Sequence, residues 1–427
     1  MALPVSSKGG SWHSWPAGAL RLPSRLLVCV AGSLLAALFT FTWSREDLDA
    51  GLNDIRFQED KDVVRFSEHC AAPAEGAEGE LPRGEGHRLH GVAVLFGHGD
   101  SSPVRDWPGE ALRAVAWDCR PEALPRYWRL NKHVTFPVLG LDGTRLERSL
   151  TPSLLEEADD ALGGYACARG QLTAVGFRQA VHAGRHLAQA YGAQLGRAAS
   201  RGAFRLHAAS ADTTRSLASA VGLLMALLAA PEVVSSWGPG TEATIHLAPN
   251  ASLDTAGAEA LLGDMELSEH LLSRWCHQLA WPCHNSMLEG SRCVSLQQAA
   301  ALVRESEAGA CRALPAEARP LASPLLAEVE RLRNAQEGLF TVSSTAGQAL
   351  TAALKALLGA AACNSPLSAR PPFASRLVIE RWLSPAGDFR WRFLWNGADV
   401  SAQVIGCSGQ RDPGCSDQVV SALFSGP

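Results

Sequence analysis

The sequence predicts an α/β sandwich, because strands and helices alternate along the chain. Residues 90–97 (HGVAVLFG) form a short apolar run that is typical of a strand inside a sheet. Residues 170–192 place apolar side chains at mostly helical spacing between two glycines. Residues 204–210 (FRLHAAS) predict a second strand, which a turn connects to a long apolar helix.

The C-terminal part of the chain continues this pattern. Thr345 to Leu358 reads as an apolar helix, and the stretches RLVIERW and FRWRFLW flank LSPAGD as the two arms of a hairpin. The region from about 255 to 335 is rich in helical patterns and contains a cluster of cysteines. We therefore expect it to form a cap inserted into the α/β domain.

Composition excludes several classes of protein. The chain has 427 residues, of which 47% are hydrophobic and 19% charged, so it is globular and long enough for a sizeable core. Its formal net charge of −5 is spread without long runs of one sign. This balance argues against nucleic acid as the main partner.

The N-terminal region predicts a membrane anchor. Residues 1–25 carry basic residues and no acidic ones, residues 26–43 are uncharged, and acidic residues follow. The alternative is a cleaved signal peptide, but the stretch lacks a small-residue cleavage site. We expect a cytosolic tail, a single-pass type II signal anchor and a luminal stem at 44–88, followed by a luminal domain at 89–427.

Cysteine usage agrees with a luminal domain. Of 11 cysteines, Cys29 lies in the predicted span, and the even number that remains suits disulfides in an oxidising compartment. Asn250 begins a glycosylation sequon. Zinc binding by Cys276-His277 and Cys283-His284 is the alternative use of these cysteines. Their spacing fits no common zinc module, so we expect no metal.

Two places in the sequence carry residues suited to binding an anion. His98 follows a buried strand and lies between Gly97 and Gly99, where a ligand can approach closely. Arg215 lies in the turn that connects the second strand to its helix. Backbone N–H groups at a helix N-terminus, together with a guanidinium, favour a phosphoryl group.

These motifs occur in an order that resembles the histidine acid phosphatases, most closely the branch that removes the 2-phosphate of xylose. The resemblance extends from about residue 90 to past 400. It rests on HGDSSP (98–103), CARGQLTAVG (167–176), DTTRSLASA (212–220), WCHQLAWPCH (275–284), SRLVIERW (375–382) and WNGADVS (395–401). It implies a three-layer α/β sandwich with a helical, disulfide-containing cap and no cofactor.

The resemblance also implies roles for individual residues. His98 corresponds to the nucleophile that becomes phosphorylated, and Arg215 to a phosphate ligand. Arginines of the family are replaced by Gly97 and Ser101. The segment that matches the family's C-terminal His-Asp pair has Ser343 and Ser344, and no histidine follows His284. Asp100 is a candidate substitute acid, and Arg105 a weaker candidate phosphate ligand.

Two functions follow from these observations. The first is hydrolysis of a phosphomonoester, by resemblance the 2-phosphate on the xylose of the glycosaminoglycan–protein linkage region, with catalysis impaired by the missing cations and acid. The second is an inactive pseudophosphatase that binds a phosphorylated glycan or glycosaminoglycan-assembly enzymes in the lumen. Both place the protein in the Golgi membrane.

Overall fold

The computed structural model describes residues 63–64, 66–80, 86–108, 117–119, 134–146, 167–229, 241–248, 256–286, 290–359, 362, 370–408 and 414–424. All of them belong to one compact unit, residues 61–427. The predicted tail, anchor and Asn250 lie outside the described residues. Within the described ranges, no helix combines the length and the apolar character needed to cross a bilayer.

The strands and helices are numbered here in chain order. The strands are β1 Arg88–Gly97, β2 Val134–Thr135, β3 Val138–Leu139, β4 Arg145–Leu146, β5 Arg205–Ala211, β6 Thr241–Glu242, β7 Ile245–Ala248, β8 Cys283–Ser286, β9 Gly290–Cys293, β10 Leu339–Thr345, β11 Arg376–Leu383, β12 Phe389–Trp395, β13 Ala398–Asp399 and β14 Cys415–Ser416. The helices are α1 Ala174–Ser200, α2 Thr214–Leu228, α3 Ala256–Cys276, α4 Leu296–Leu321, α5 Ser323–Asn334, α6 Gly347–Leu358 and α7 Asp417–Phe424.

One mixed sheet organises the domain. Among the described residues it has ten strands, in the order β13-β12-β11-β1-β10-β5-β7-β3-β4, with β14 paired to β12. The central pairs β1–β10, β10–β5 and β5–β7 are parallel, whereas β11 and β12 are antiparallel. The hairpin predicted near the C-terminus is therefore confirmed as β11–β12.

Alternation along β1 shows how the layers are packed. Val94 and Phe96 point into a core that α1 and α2 cover, while Ala93 and Leu95 point into a second core covered by α5, α6 and α7. All four side chains are fully buried. A strand buried on both faces needs helices on both sides of the sheet, which confirms the predicted three-layer α/β sandwich.

The predicted elements of the core are present with small differences in length. The strand expected at 90–97 is β1, and the strand expected at 204–210 is β5. The helix expected at 170–192 begins at Ala174 and continues to Ser200. It passes Gly192, which is buried inside the helix and does not end it.

The cap consists of α3, the hairpin β8–β9 and α4. The disulfide Cys283–Cys293 closes the hairpin, so the predicted disulfide-containing cap is present. Its predicted end at about 335 is too late. The helix α5 packs Leu325, Val329 and Leu332 into the core beneath the sheet, and it therefore belongs to the sandwich.

The predicted stem also extends too far, because residues 66–80 are part of the domain. Phe66 is 1% exposed and packs in the cap core. Cys70 forms a disulfide with Cys276 at the end of α3, and Glu78 pairs with Arg376 of β11. Further disulfides join Cys119 to Cys167 and Cys407 to Cys415.

Candidate active site

The parallel strands bring His98 and Arg215 to the same edge of the sheet. Gly97 at the end of β1 is level with Thr345 at the end of β10, and β10 pairs in turn with β5. His98 follows β1 directly, and Arg215 lies in the first turn of α2 after β5. The carboxyl ends of parallel strands form the usual ligand site of an α/β sheet, and His98 and Arg215 both lie at this edge.

The backbone around His98 is held on several sides. The Ala374 N–H donates to the His98 carbonyl at 3.0 Å, and the Gly99 N–H donates to Oγ of Ser219 at 3.1 Å. A Cβ at Gly99 would lie 2.2 Å from the carbonyl oxygen of Gly176 in α1. Glycine is therefore required where this loop crosses the helix, and the loop is fixed before any ligand binds.

The ring of His98 presents one defined nitrogen for chemistry. Its Nδ1 lies 2.8 Å from the carbonyl oxygen of Gly99, which can only accept a hydrogen bond. In the neutral ring the proton is therefore on Nδ1 and the lone pair is on Nε2. Burial, and after it the charges of Arg215 and Arg370, lower the pKa of His98 to about 4, so the ring is neutral at neutral pH.

Two arginines and one glutamate surround this histidine. Arg215 Nη1 donates to Oε1 of Glu269 at 2.7 Å, and Arg370 Nη2 donates to Oε2 of the same carboxylate at 2.7 Å. Burial favours a higher pKa for Glu269, but Arg215 and Arg370 outweigh it and lower that pKa to about 2. The three groups therefore carry a net charge of about +1 beside His98.

A cleft connects this cluster to the surface. It has about 380 Å³ of empty volume, a figure that includes the open mouth. The residues that line it are Gly97, His98, Met265, Glu269, Gly347, Gln348, Leu350, Arg370, Pro371, Pro372 and Phe373. His98, Glu269 and Arg370 therefore share a cleft that is open to solvent.

Gly97 and Ser101 stand at the two positions where the histidine acid phosphatases have arginine, and their surroundings differ. Beside Gly97 the space is narrow, because an added Cβ would lie 2.9 Å from Cδ1 of Leu350. Ser101 is fully buried, and its Oγ accepts from Arg215 Nη1 at 3.3 Å. Arg370 lines the same cleft as Gly97, so the loop before β11 supplies a cation that the histidine loop lacks.

The candidate acid Asp100 is bound on both carboxylate oxygens. Oδ1 accepts from Ser273 at 3.0 Å, and Oδ2 accepts from Thr173 at 2.6 Å and pairs with His277. Asp100 is 0% exposed and is absent from the lining of the cleft. In this structure it connects the histidine loop to α1 and to the cap helix α3.

Arg105 lies away from His98. Its side chain is 58% exposed and its Nε lies 3.2 Å from Oε2 of Glu266 on α3. Its neighbour Asp106, a further acid near the loop, pairs with Arg169. The structure therefore places these two residues at the rim of the cap.

Ser343 and Ser344, which match the C-terminal His-Asp pair of the histidine acid phosphatases, lie in β10. Both are buried, and Ser344 Oγ donates to the carbonyl of Ser216 at 2.8 Å. Because Gly97 pairs with Thr345, the residue level with His98 is Ala346. The cleft is lined from this turn by Gly347 and Gln348, neither of which is a cation or an acid.

The proposed zinc alternative is contradicted by the disulfides. Cys276 is bonded to Cys70 and Cys283 to Cys293, so neither sulfur is available as a thiolate ligand. Within the part of the chain that the structure describes, no group of three or more His, Cys, Asp or Glu residues is arranged to hold a metal ion.

Sequence reasoning missed Arg370 and Glu269. Glu269 lies in a stretch that reads as an ordinary amphipathic helix, and Arg370 lies in an irregular segment before two prolines. Only the folded structure identifies these two residues as part of the site. Both side chains are mostly buried, although they lie in segments that give no sequence indication of a core position.

Comparison with known proteins adds structural neighbours. No family model and no curated protein matches the sequence. Three of the similar solved structures are the phytase from D. castellii (14% identity, 85% of this chain and 86% of that chain covered, TM-score 0.45), the multiple inositol polyphosphate phosphatase of Bifidobacterium longum (12%, 79%, 92%, 0.41) and Hafnia alvei phytase (13%, 80%, 97%, 0.35). These neighbours are phosphatases. At such identities and TM-scores the roles of residues in this chain must come from its own geometry.

Proposed function

We propose that this protein binds a phosphomonoester at the edge of the sheet and hydrolyses it slowly through a phosphorylated His98. One observation carries the proposal: Nδ1 of His98 hydrogen-bonds to the Gly99 carbonyl, which leaves the Nε2 lone pair free of that bond, and His98 lines the same cleft as Arg370 and Glu269, the carboxylate that also binds Arg215. A neutral, oriented imidazole is the form that can attack phosphorus.

The chemistry takes place in two displacements. Nε2 of His98 attacks phosphorus while the bond to the leaving oxygen breaks, and that oxygen takes a proton from water. A second water then attacks the phosphohistidine, releasing phosphate and the neutral imidazole. Arg215 and Arg370 stabilise the negative charge on the phosphoryl oxygens during both steps.

The same geometry predicts a low rate. Of the residues that line the cleft in the described part of the chain, Glu269 is the one carboxyl group, and its two arginines keep it ionised. No carboxylic acid is then ready to protonate the leaving oxygen, which costs about 10²- to 10⁴-fold in rate. Turnover should consequently be greatest for esters whose leaving group is already acidic.

The substrate we propose is the 2-phosphate on xylose in the glycosaminoglycan–protein linkage region. This rests on the sequence motifs from residue 98 to 401 that resemble the phosphoxylose branch, and on the predicted N-terminal anchor. The disulfides fit folding in an oxidising compartment, as a protein of the Golgi lumen requires. Asp100, whose carboxylate binds Ser273, Thr173 and His277, would hold the histidine loop in place.

A binding role without turnover is the second candidate. The salt bridges of Glu269 to both arginines favour it, because they occupy the cations that catalysis needs. Such a protein would hold a phosphorylated glycan or a glycosaminoglycan-assembly enzyme in the lumen without cleaving phosphate.

The test is hydrolysis of p-nitrophenyl phosphate by the full chain, with His98→Ala as the matched control. Hydrolysis that the control abolishes, together with ³²P trapped on His98 after an acid-free quench, supports the enzyme. Equal background in both proteins, with phosphoxylose still bound at equilibrium, supports the binding role.

A further inference from the structure

The cluster beside His98 contains an anion supplied by the protein itself. We infer that Arg215 and Arg370 form an oxyanion site whose resident ligand is the carboxylate of Glu269, and that a phosphoryl dianion enters by displacing this carboxylate. This inference rests on the proposed phosphomonoester site, and it identifies the Glu269 carboxylate as the group that must leave before the substrate binds.

The contacts of Glu269 are those expected of a bound oxyanion. Each carboxylate oxygen accepts from a different arginine, both at 2.7 Å, so the side chain bridges the two guanidinium groups. Glu269 is 7% exposed, and it lines the open cleft together with His98 and Arg370. The carboxylate therefore lies on the path that a phosphoryl group would take to the two cations.

The arginines are also held by groups other than Glu269. Arg370 Nη1 donates to the Met265 carbonyl at 2.5 Å and contacts Oγ of Ser268, which leaves Nη2 for the anion. Arg215 Nη1 is shared with Oγ of Ser101 at 3.3 Å. When the glutamate moves away, both cations keep a fixed partner and remain in position for a new oxyanion.

Charge balance favours exchange over simple addition. Two guanidinium groups and one carboxylate carry a net charge of +1, so a dianion added beside Glu269 would bring the cluster to −1 and place like charges together. Replacing the carboxylate with the dianion gives a neutral cluster. Like charges repel more strongly in a buried site than in water. The arrangement in which the dianion replaces the Glu269 carboxylate therefore has the lower free energy.

Exchange lowers the measured affinity for every external anion. The binding-competent form is the one in which Glu269 has left the arginines, and the apparent dissociation constant rises as that form becomes rarer. Neutralising Glu269 removes this competition. We expect the dissociation constant for an oxyanion to fall by about 10- to 100-fold in Glu269→Gln.

The experiment measures sulfate binding to the full chain by isothermal titration calorimetry at pH 7. Sulfate is a dianion that cannot be hydrolysed, so the measurement is independent of turnover. The matched control is Glu337→Gln, a glutamate just before β10, at the opposite end of that strand from Thr345 and paired with Arg88 and Arg201, for which we expect a change below about twofold.

Tighter sulfate binding in Glu269→Gln and not in Glu337→Gln supports the inference. Unchanged or weaker binding overturns it, since it would mean that Glu269 organises the arginines and does not compete with their ligand. If the Gln variant does not fold, Glu269→Asp decides. The shorter aspartate side chain cannot span both arginines, so we expect this variant to bind sulfate about 3- to 10-fold more tightly than the wild type. Unchanged sulfate affinity would contradict the inference.

The two hypotheses can fail separately. Tighter sulfate binding in a protein that shows no His98-dependent hydrolysis would remove the proposed enzyme and keep the exchange site. His98-dependent hydrolysis with sulfate binding unaffected by Glu269→Gln would do the reverse.

Discussion

Protonation of His98 should destabilise the folded protein at mildly acidic pH. The ring is buried beside Arg215 and Arg370, and burial first, then these charges, lower its pKa from 6.5 to about 4. In the unfolded chain the same ring titrates near its ordinary value. Below pH 6.5 the unfolded state therefore binds a proton that the folded state does not, and the free energy of unfolding falls as the pH falls towards 4.

The size of the effect follows from the shift. A difference of 2.5 pKa units corresponds to about 3 kcal/mol between the two protonation states. Between pH 7 and pH 5, where the folded ring is still mostly neutral, we expect His98 alone to remove roughly 2 kcal/mol of stability. The glutamates with pKa values near 2, Glu78 and Glu269, stay ionised across this window.

Urea unfolding at pH 7 and pH 5 measures this contribution. We compare the wild type with His98→Asn, whose amide can still donate to the Gly99 carbonyl, and with His182→Asn on the exposed face of α1. The loss on acidification should shrink by roughly 2 kcal/mol in His98→Asn and stay the same in His182→Asn. Equal losses in all three proteins, or an NMR titration of the His98 ring near pH 6.5, would refute the reasoning.

Three further predictions concern stability. Gly176→Ala places a Cβ 2.0 Å from the Asp100 carbonyl oxygen and should cost about 3 kcal/mol in thermal unfolding, while Gly347→Ala, with nothing within 4 Å, should be neutral or stabilising by about 0.5 kcal/mol. Replacing Cys70 and Cys276 by serine opens a bridge with a sequence separation of 206 and should cost up to about 5 kcal/mol in urea unfolding, against about half that for the shortest described bridge. Glu78→Gln leaves a buried guanidinium without its carboxylate and should cost about 3–5 kcal/mol in the same assay, and a loss below about 1 kcal/mol would contradict the ion pair.

The fold was predictable where burial is continuous. β1 is apolar on both faces, and the hairpin β11–β12 alternates around an obvious turn, so periodicity alone identifies them. β10 is different, because polar residues replace apolar ones inside a central strand. Its Thr341 and Ser344 are satisfied by Glu328 and by the Ser216 carbonyl, and such partners become visible only when the chain is folded.

The site was predictable only in part. His98 and Arg215 follow strands, and strand ends converge, so their meeting could be inferred from the order of elements. Glu269 and Arg370 come from the cap helix and from an irregular segment 101 residues apart. Nothing in local periodicity relates two such segments. This ion pair forms only because of the position of the cap on the α/β sandwich. Short sequence patterns do not predict that position.

The disulfide between Cys70 and Cys276 determines where the folding unit can be cut. The motifs alone suggest a fragment that starts at residue 89. In such a fragment Cys276 would be a free thiol, and the loss of Phe66 would leave an apolar cavity in the cap core. It would also lose the carboxylate that neutralises Arg376. A fragment made for crystallisation or assay should therefore begin upstream of Phe66, because residues 66–80, which the sequence predicts as a stem, pack as part of the domain.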